Sequence, residues 1–261
     1  MFTKDWLASL RPEREMKIHQ RQEQVKLRGN DNYGILTGST SNDEKFLAVA
    51  AYVLDGSATE FRRHLVVAIE LRIGLLRRHR SGTPLLREGD HMGPNCPPPD
   101  QAIWHGDVSN GKFQWMLYAL AAARLDLAEE LARLMGTVHT DPIGESYCQS
   151  IRFILLNQNE IARGHLEDLR IASPAKDNDE FYQMMMEITA VRPDPARVQE
   201  LVRIMDRRHR HYARNEEPFL SGTEEELLCL WGIGLANLAR YKRIVDRIEF
   251  SSELIPAELL V

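Results

Sequence analysis

In the stretch MDRRHRHYARNEEP, residues 205–218, His209 and His211 stand near Asp206 and are interleaved with Arg207, Arg208, Arg210 and Arg214. Imidazole and carboxylate are the donors of zinc sites, and clustered guanidinium groups are the donors of phosphate sites. The spacing argues against a shared metal. On a helix, positions i and i+2 point roughly 200° apart, whereas two ligands from one helix sit at i and i+3 or i+4. Upstream, PARVQELVRIM and the residues after it place Leu201, Ile204, Met205 and Tyr212 on one apolar stripe, so the stretch is expected to finish a helix. Arginines in its last turns are what the helix dipole favours, and Glu216 and Glu217 follow to offset them.

A second set of chemically capable residues, Asp90, His91, Cys96, His105 and Asp107, lies in RSGTPLLREGDHMGPNCPPPDQAIWHGDVSNGK, residues 80–112. No metal-ligand spacing organises them, and the Gly and Asp pairs are equally those of polar turns. Three consecutive prolines exclude regular helix or sheet. Loops of this length inside compact domains are uncommon and often functional, so residues 80–112 are a candidate contact element.

Signatures of common catalytic sites are missing: there is no Walker loop, no dinucleotide fingerprint, no G-x-S-x-G and no H-E-x-x-H. No catalytic residue, metal or cofactor is therefore expected. Three scattered cysteines, Cys96, Cys148 and Cys229, suggest neither a disulfide framework nor a zinc site, and a reducing cytoplasm is the expected compartment. The first residues lack the apolar core of a secretory signal, and LLCLWGIGLANLA (227–239) is too short to span a bilayer. Neither a membrane nor a nucleic-acid partner is expected, since a formal net charge of −5 disfavours phosphate binding.

Carboxylates are the remaining candidates. Glu216, Glu217, Glu224, Glu225 and Glu226 crowd the approach to the last helix, and Asp177, Asp179 and Glu180 precede another. The helix dipole alone accounts for acids at an N-terminus. As an exposed rim they would instead concentrate negative charge where a basic protein partner docks.

The elements that must position these residues are helical throughout. Residues 1–43 read as a polar N-terminal segment, ending where Ser41 or Asn42 caps a helix that Gly56 stops. The next helix, about Thr59 to His79, carries Phe61, Leu65, Ala68, Ile69 and Leu76 at helical spacing, widened by Val66, Ile73 and Leu75. Arg72 falls on that apolar side and must reach solvent or find a carboxylate. Residues 113–261 read as antiparallel helix pairs. Short polar turns precede Ala128, Ala162 and Ala196, a spacing of about 34 residues, the period of helix-turn-helix solenoids. Tetratricopeptide landmark residues do not recur in register. The expectation is an all-α chain, one domain over 1–261, built of antiparallel pairs packed in an α-solenoid-like way. A long helix from about Thr223 to Tyr241 closes it, with Ile255, Leu259 and Leu260 pinning the tail. Met184, Met185, Met186 and Ile188 read as core filler or as an adaptable groove.

From Asp107 onward the chain resembles bacterial immunity proteins of polymorphic toxin systems, above all the Immunity protein 49 family. The resemblance is carried by the Ser109-led helix with its Ala-rich run Ala119 to Ala123, a second Ala-rich helix pair, and an Asp-Phe helix start. Asp179 to Phe181 is one residue shorter than that last pattern. The His/Arg-rich helix end at Arg207 to Tyr212 and the P-x-x-L-L tail, Pro256 with Leu259 and Leu260, complete it. It implies a non-enzymatic protein that binds and neutralises a cognate toxin in the cytoplasm. Two alternatives remain open: a helical-repeat scaffold for another protein partner, and a hydrolase using the His and Asp residues of the 80–112 loop.

Overall fold

The computed structural model describes residues 3–28, 33–81, 112–135, 142–173, 179–214 and 223–261. Among them the chain forms ten α-helices and short 3-10 turns, with no strand, as the periodicity predicts. The loop residues Asp90, His91, Cys96, His105 and Asp107 lie outside the described residues, as do Asp177, Glu216 and Glu217.

The first 43 residues depart most from expectation. Helix α1 spans Lys4–Arg28 and α2 spans Tyr33–Asp55, so what reads as a polar segment is a helix and the first turns of another. The Thr3 hydroxyl accepts the Trp6 N–H at the start of α1. Only Leu7 and Ile18 of α1 are fully withdrawn from water, too few to announce a helix by pattern. Charge holds it instead: Arg14 and Arg21 both grip the buried Asp43 of α2, and Arg11 meets Asp55 at 2.6 Å.

Helix α2 begins well before Ser41 because its hydroxyls face protein, with partners there. Thr40 donates to the Leu36 carbonyl at 2.8 Å and Ser41 donates to the Ala68 carbonyl at 2.9 Å. Gly56, at φ +67, ends the helix as expected. Helix α3, Ala58–Arg80, buries Phe61, Leu65, Ala68, Ile69, Ile73, Leu75 and Leu76, while Val66 is only half-buried. Arg72 neither reaches solvent nor needs an acid to be held. It lies buried 4.5 Å over the Trp115 ring and donates to the Ser41 hydroxyl, the Gly38 carbonyl and the Asn42 amide oxygen.

Six helices follow: α4 (Lys112–Ala121), α5 (Leu125–Leu134), α6 (Pro142–Leu155), α7 (Asn159–Ala172), α8 (Glu180–Ile188) and α9 (Pro195–Arg214). They pack as consecutive pairs, α4 with α5, α6 with α7, α8 with α9. The first two pairs share one turn. Ala123 at φ 61 and Asn157 at φ 60 take the left-handed conformation, and the next residue's N–H reaches five residues back, Arg124 to Ala119 and Gln158 to Phe153. Arg243, at φ 58, ends the last helix in the same way. The third pair turns differently, through Asp194, whose N–H donates to the Glu187 carboxylate at 2.5 Å and whose own carboxylate accepts the Ala196 N–H. The shared turn therefore recurs once at the expected spacing and then stops.

The closing helix is shorter than its apolar run suggests. Glu224–Leu227 form a 3-10 turn, Leu228 is extended, and α10 starts only at Leu230, running to Tyr241. The cause is the tail: the Cys229 N–H is taken by the Leu254 carbonyl at 2.9 Å. Rather than extending the row of pairs, α10 folds back onto α4, its largest neighbour. Gly234 permits this, since a Cβ there would collide with the backbone of Leu117. Asn237, fully buried, donates to the Leu120 and Leu259 carbonyls and accepts from the Val261 N–H, fastening the tail beneath the helix. Ile255 and Leu259 are buried as expected, and Leu260 partly so.

Gly234→Ala should lose about 2–3 kcal/mol in a urea titration, because the added methyl meets main chain that has no room to yield. Gly164→Ala, where the space beside α7 is open, should gain about 0.5–1 kcal/mol. Equal effects at the two positions would mean that α10 and α4 are not in close contact. Ala123→Gly should raise stability by about 0.5–1 kcal/mol, since relief of the left-handed strain exceeds the added chain entropy. A loss would show that the turn is not left-handed.

Candidate functional site

The polar centre of the molecule is a buried charge cluster. Lys45 projects from α2 with its side chain only 14% exposed, and its ammonium meets Glu224 at 2.9 Å and Glu225 at 2.6 Å. The Tyr118 hydroxyl of α4 donates to the same Glu225 carboxylate at 2.6 Å. His209 of α9 binds the main-chain carbonyl of Glu225 through Nε2 at 2.7 Å, so that nitrogen carries the hydrogen. One residue of the 3-10 turn thereby joins α2, α4 and α9.

Each ionisable group here is pushed away from neutral pH. Burial opposes the charge on Lys45, but Glu224 and Glu225 outweigh it and hold the ammonium well above the usual lysine range. Burial, and then the charge of Glu225, keeps the Tyr118 phenol protonated far above its ordinary value. Burial lowers His209, which stays a neutral imidazole. Next to it, burial pushes the Cys229 thiol up to about 12, leaving almost no thiolate at neutral pH. Chemically the arrangement is suited to clamping helices rather than to moving protons at neutral pH.

A second cluster supports the start of α8. Asp179 caps that helix, accepting from Phe181 N at 3.0 Å and Tyr182 N at 3.1 Å, while its other oxygen takes the Tyr147 hydroxyl at 2.7 Å. Glu180 is buried and meets Arg208 at 3.0 Å; burial raises its carboxyl despite that partner.

These contacts correct the expectation of an exposed acidic rim. Glu224, Glu225, Glu226 and Glu180 are all buried, and Asp179 is half-buried as a helix cap. The ammonium of Lys45 and the guanidinium of Arg208 draw Glu224, Glu225 and Glu180 inward, because a carboxylate next to a desolvated cation is far more favourable than either alone. The paired histidines part as their spacing predicts: His209 points into the core and His211 is exposed. Asp206 is no ligand either, being tied to Arg210 at 3.1 Å and to the Ser252 hydroxyl at 2.5 Å. Met184, Met185 and Ile188 are core, and Met186 alone of that stripe is exposed. Lys45 and Tyr118 escape sequence reasoning. The only signal is a lysine beside the apolar run FLAVAA, and its partners lie far along the chain.

Among the described residues, no three His, Cys, Asp or Glu side chains come together as a metal site requires. Cys148 and Cys229 are buried free thiols. No helix among those residues is long and apolar enough to cross a membrane. Comparison with protein-family models, curated proteins and solved structures finds no match to this chain.

Lys45→Met should destabilise the fold by about 3–5 kcal/mol, since it strands Glu224 and Glu225 without their cation. A loss under about 1 kcal/mol in a denaturant titration would mean that these carboxylates reach water. His209 adds a pH signature. Its folded pKa is depressed, so between that value and the unfolded value near 6.5 the unfolded chain binds more protons, and stability falls as the pH drops through about 6.5. His209→Gln should flatten the fall in urea midpoint between about pH 7.5 and 5.5. An unchanged slope would show that this ring is not held neutral.

Proposed function

We propose that this chain is a non-enzymatic protein-binding protein of the cytoplasm, an immunity protein that neutralises a cognate antibacterial toxin by binding it. The observation that carries the non-enzymatic part is the condition of the buried polar centre. Lysine, phenol, thiol and imidazole are all present, yet each is held in the protonation state that makes it inert. The resemblance to the Immunity protein 49 family supplies the partner class, and the all-helical framework is compatible with it. The charge argument for a basic partner no longer contributes, since most of the carboxylates it invoked lie inside.

A helical-repeat scaffold for some other protein is the second reading. The left-handed turn repeated at Ala123 and Asn157 favours it, as repeated helix hairpins build extended binding faces.

Co-expression with the product of the neighbouring gene tests the first reading. The expected outcome is rescue of growth together with co-purification of the two chains. Co-purification with a harmless neighbour would favour the scaffold. Growth arrest that persists when the chain is abundant would overturn the immunity reading for that pair.

A further inference from the structure

The carboxylates are drawn inward, but a set of arginines is not. Arg203, Arg207 and Arg214 on α9 are exposed and form no ion pair or hydrogen bond with any described residue. At 100° per residue they fall within roughly 40° of one another around the helix, and Arg203 to Arg214 spans about 16 Å. This is a straight basic ridge on a protein whose net charge is −5. Elsewhere guanidinium groups are spent on neighbours: Arg11 on Asp55, Arg14 and Arg21 on Asp43, Arg77 on Glu130, Arg124 on Asp126.

The ridge runs into a cleft of about 690 Å³ between the start of α1, the end of α2, the end of α9 and the tail. Tyr52, Leu54, Leu227 and Leu254 give it apolar walls, and exposed Lys4 and Arg214 stand among them. Its acids are mostly committed. Asp55 bonds Arg11 at 2.6 Å and Glu226 is buried, which leaves Glu253 as the exposed carboxylate. Positive charge therefore prevails along the ridge and at the cleft.

We propose that the outer face of α9 and this cleft form the docking surface for an acidic protein segment that carries an apolar anchor. Three guanidiniums at helical spacing present paired donors to carboxylates, and the cleft offers the anchor a place out of water. Nucleic acid fits less well. The negative net charge repels a polyanion at long range, and the cleft has one tyrosine and aliphatic walls in place of a row of stacking rings. The biological identity of the partner rests on the protein-binding reading above; the chemistry of the surface does not.

The test uses the full chain and a synthetic peptide long enough to span the ridge, rich in Glu and Asp around a central Leu-Phe pair. Fluorescence anisotropy should show binding that weakens as salt rises. The triple variant Arg203→Glu, Arg207→Glu, Arg214→Glu should bind about tenfold or more weakly, with its thermal midpoint unchanged because exposed charges contribute little to stability. Tyr52→Ala should weaken binding without altering the salt dependence. Charge reversal at exposed Arg192 and Arg243 is the control and should leave affinity unchanged. If the triple variant does not fold, the corresponding Gln variant supplies the comparison. Equal binding by wild type and variant, preference for a Lys-for-Glu peptide, or tighter binding of single-stranded RNA or duplex DNA would overturn the proposal. A second arm separates it from the functional reading. A neighbouring gene product that binds the triple variant at an unchanged rate sinks the surface and leaves the immunity reading intact. An acidic peptide held at α9, with no binding of that product, does the reverse.

Discussion

Lys45 reaches across 180 residues of chain to Glu225, and the conformation of the C-terminal third follows from that pairing. An ammonium buried beside an apolar core must be matched, or the fold loses several kcal/mol. Matching it here takes two carboxylates from one short turn, which is why Glu224–Leu227 wind as a 3-10 turn facing inward and not as the first turn of the closing helix. Glu225 is then used three times over, by Lys45 and Tyr118 at its carboxylate and by His209 at its carbonyl. The buried network is satisfied at its centre, the condition under which such a network contributes rigidity and specificity to a fold.

The second constraint is the return of α10 onto α4. A row of helix pairs would leave an open end, but Gly234 lets two backbones approach and Asn237 fastens the chain terminus under the same helix. The result is a closed body in which α4 and α10 are almost wholly buried and the outer faces of α1, α7 and α9 carry the exposed charge. Partners can meet only those outer faces and the cleft where α1, α2, α9 and the tail converge.

Composition and surface therefore disagree in sign at the place that matters. The chain is acidic as a whole, yet part of that acidity neutralises internal cations, as at Asp43, Glu180, Glu224 and Glu225. Arginines left without internal partners line one helix. Net charge governs solubility and long-range steering, whereas docking reads the local arrangement, and here the two point to different partners.

What the sequence by itself determined is the part set by local periodicity: the all-helical class, the stripe of Phe61, Leu65, Ala68 and Ile69, the stop at Gly56, and the divergence of His209 from His211. These depend on residues a few positions apart, so spacing alone specifies them. The helices at residues 4–28 and 33–43 were hidden, because Arg14 and Arg21 hold the first through Asp43, and hydroxyls of Thr40 and Ser41 are satisfied only inside the folded second. The direction faced by Glu180, Glu224 and Glu225 was equally illegible. A glutamate at the start of a helix looks the same in sequence whether it faces water or a cation, and only the tertiary structure, by placing Lys45 and Arg208 beside those carboxylates and excluding water, decided that they belong to the core.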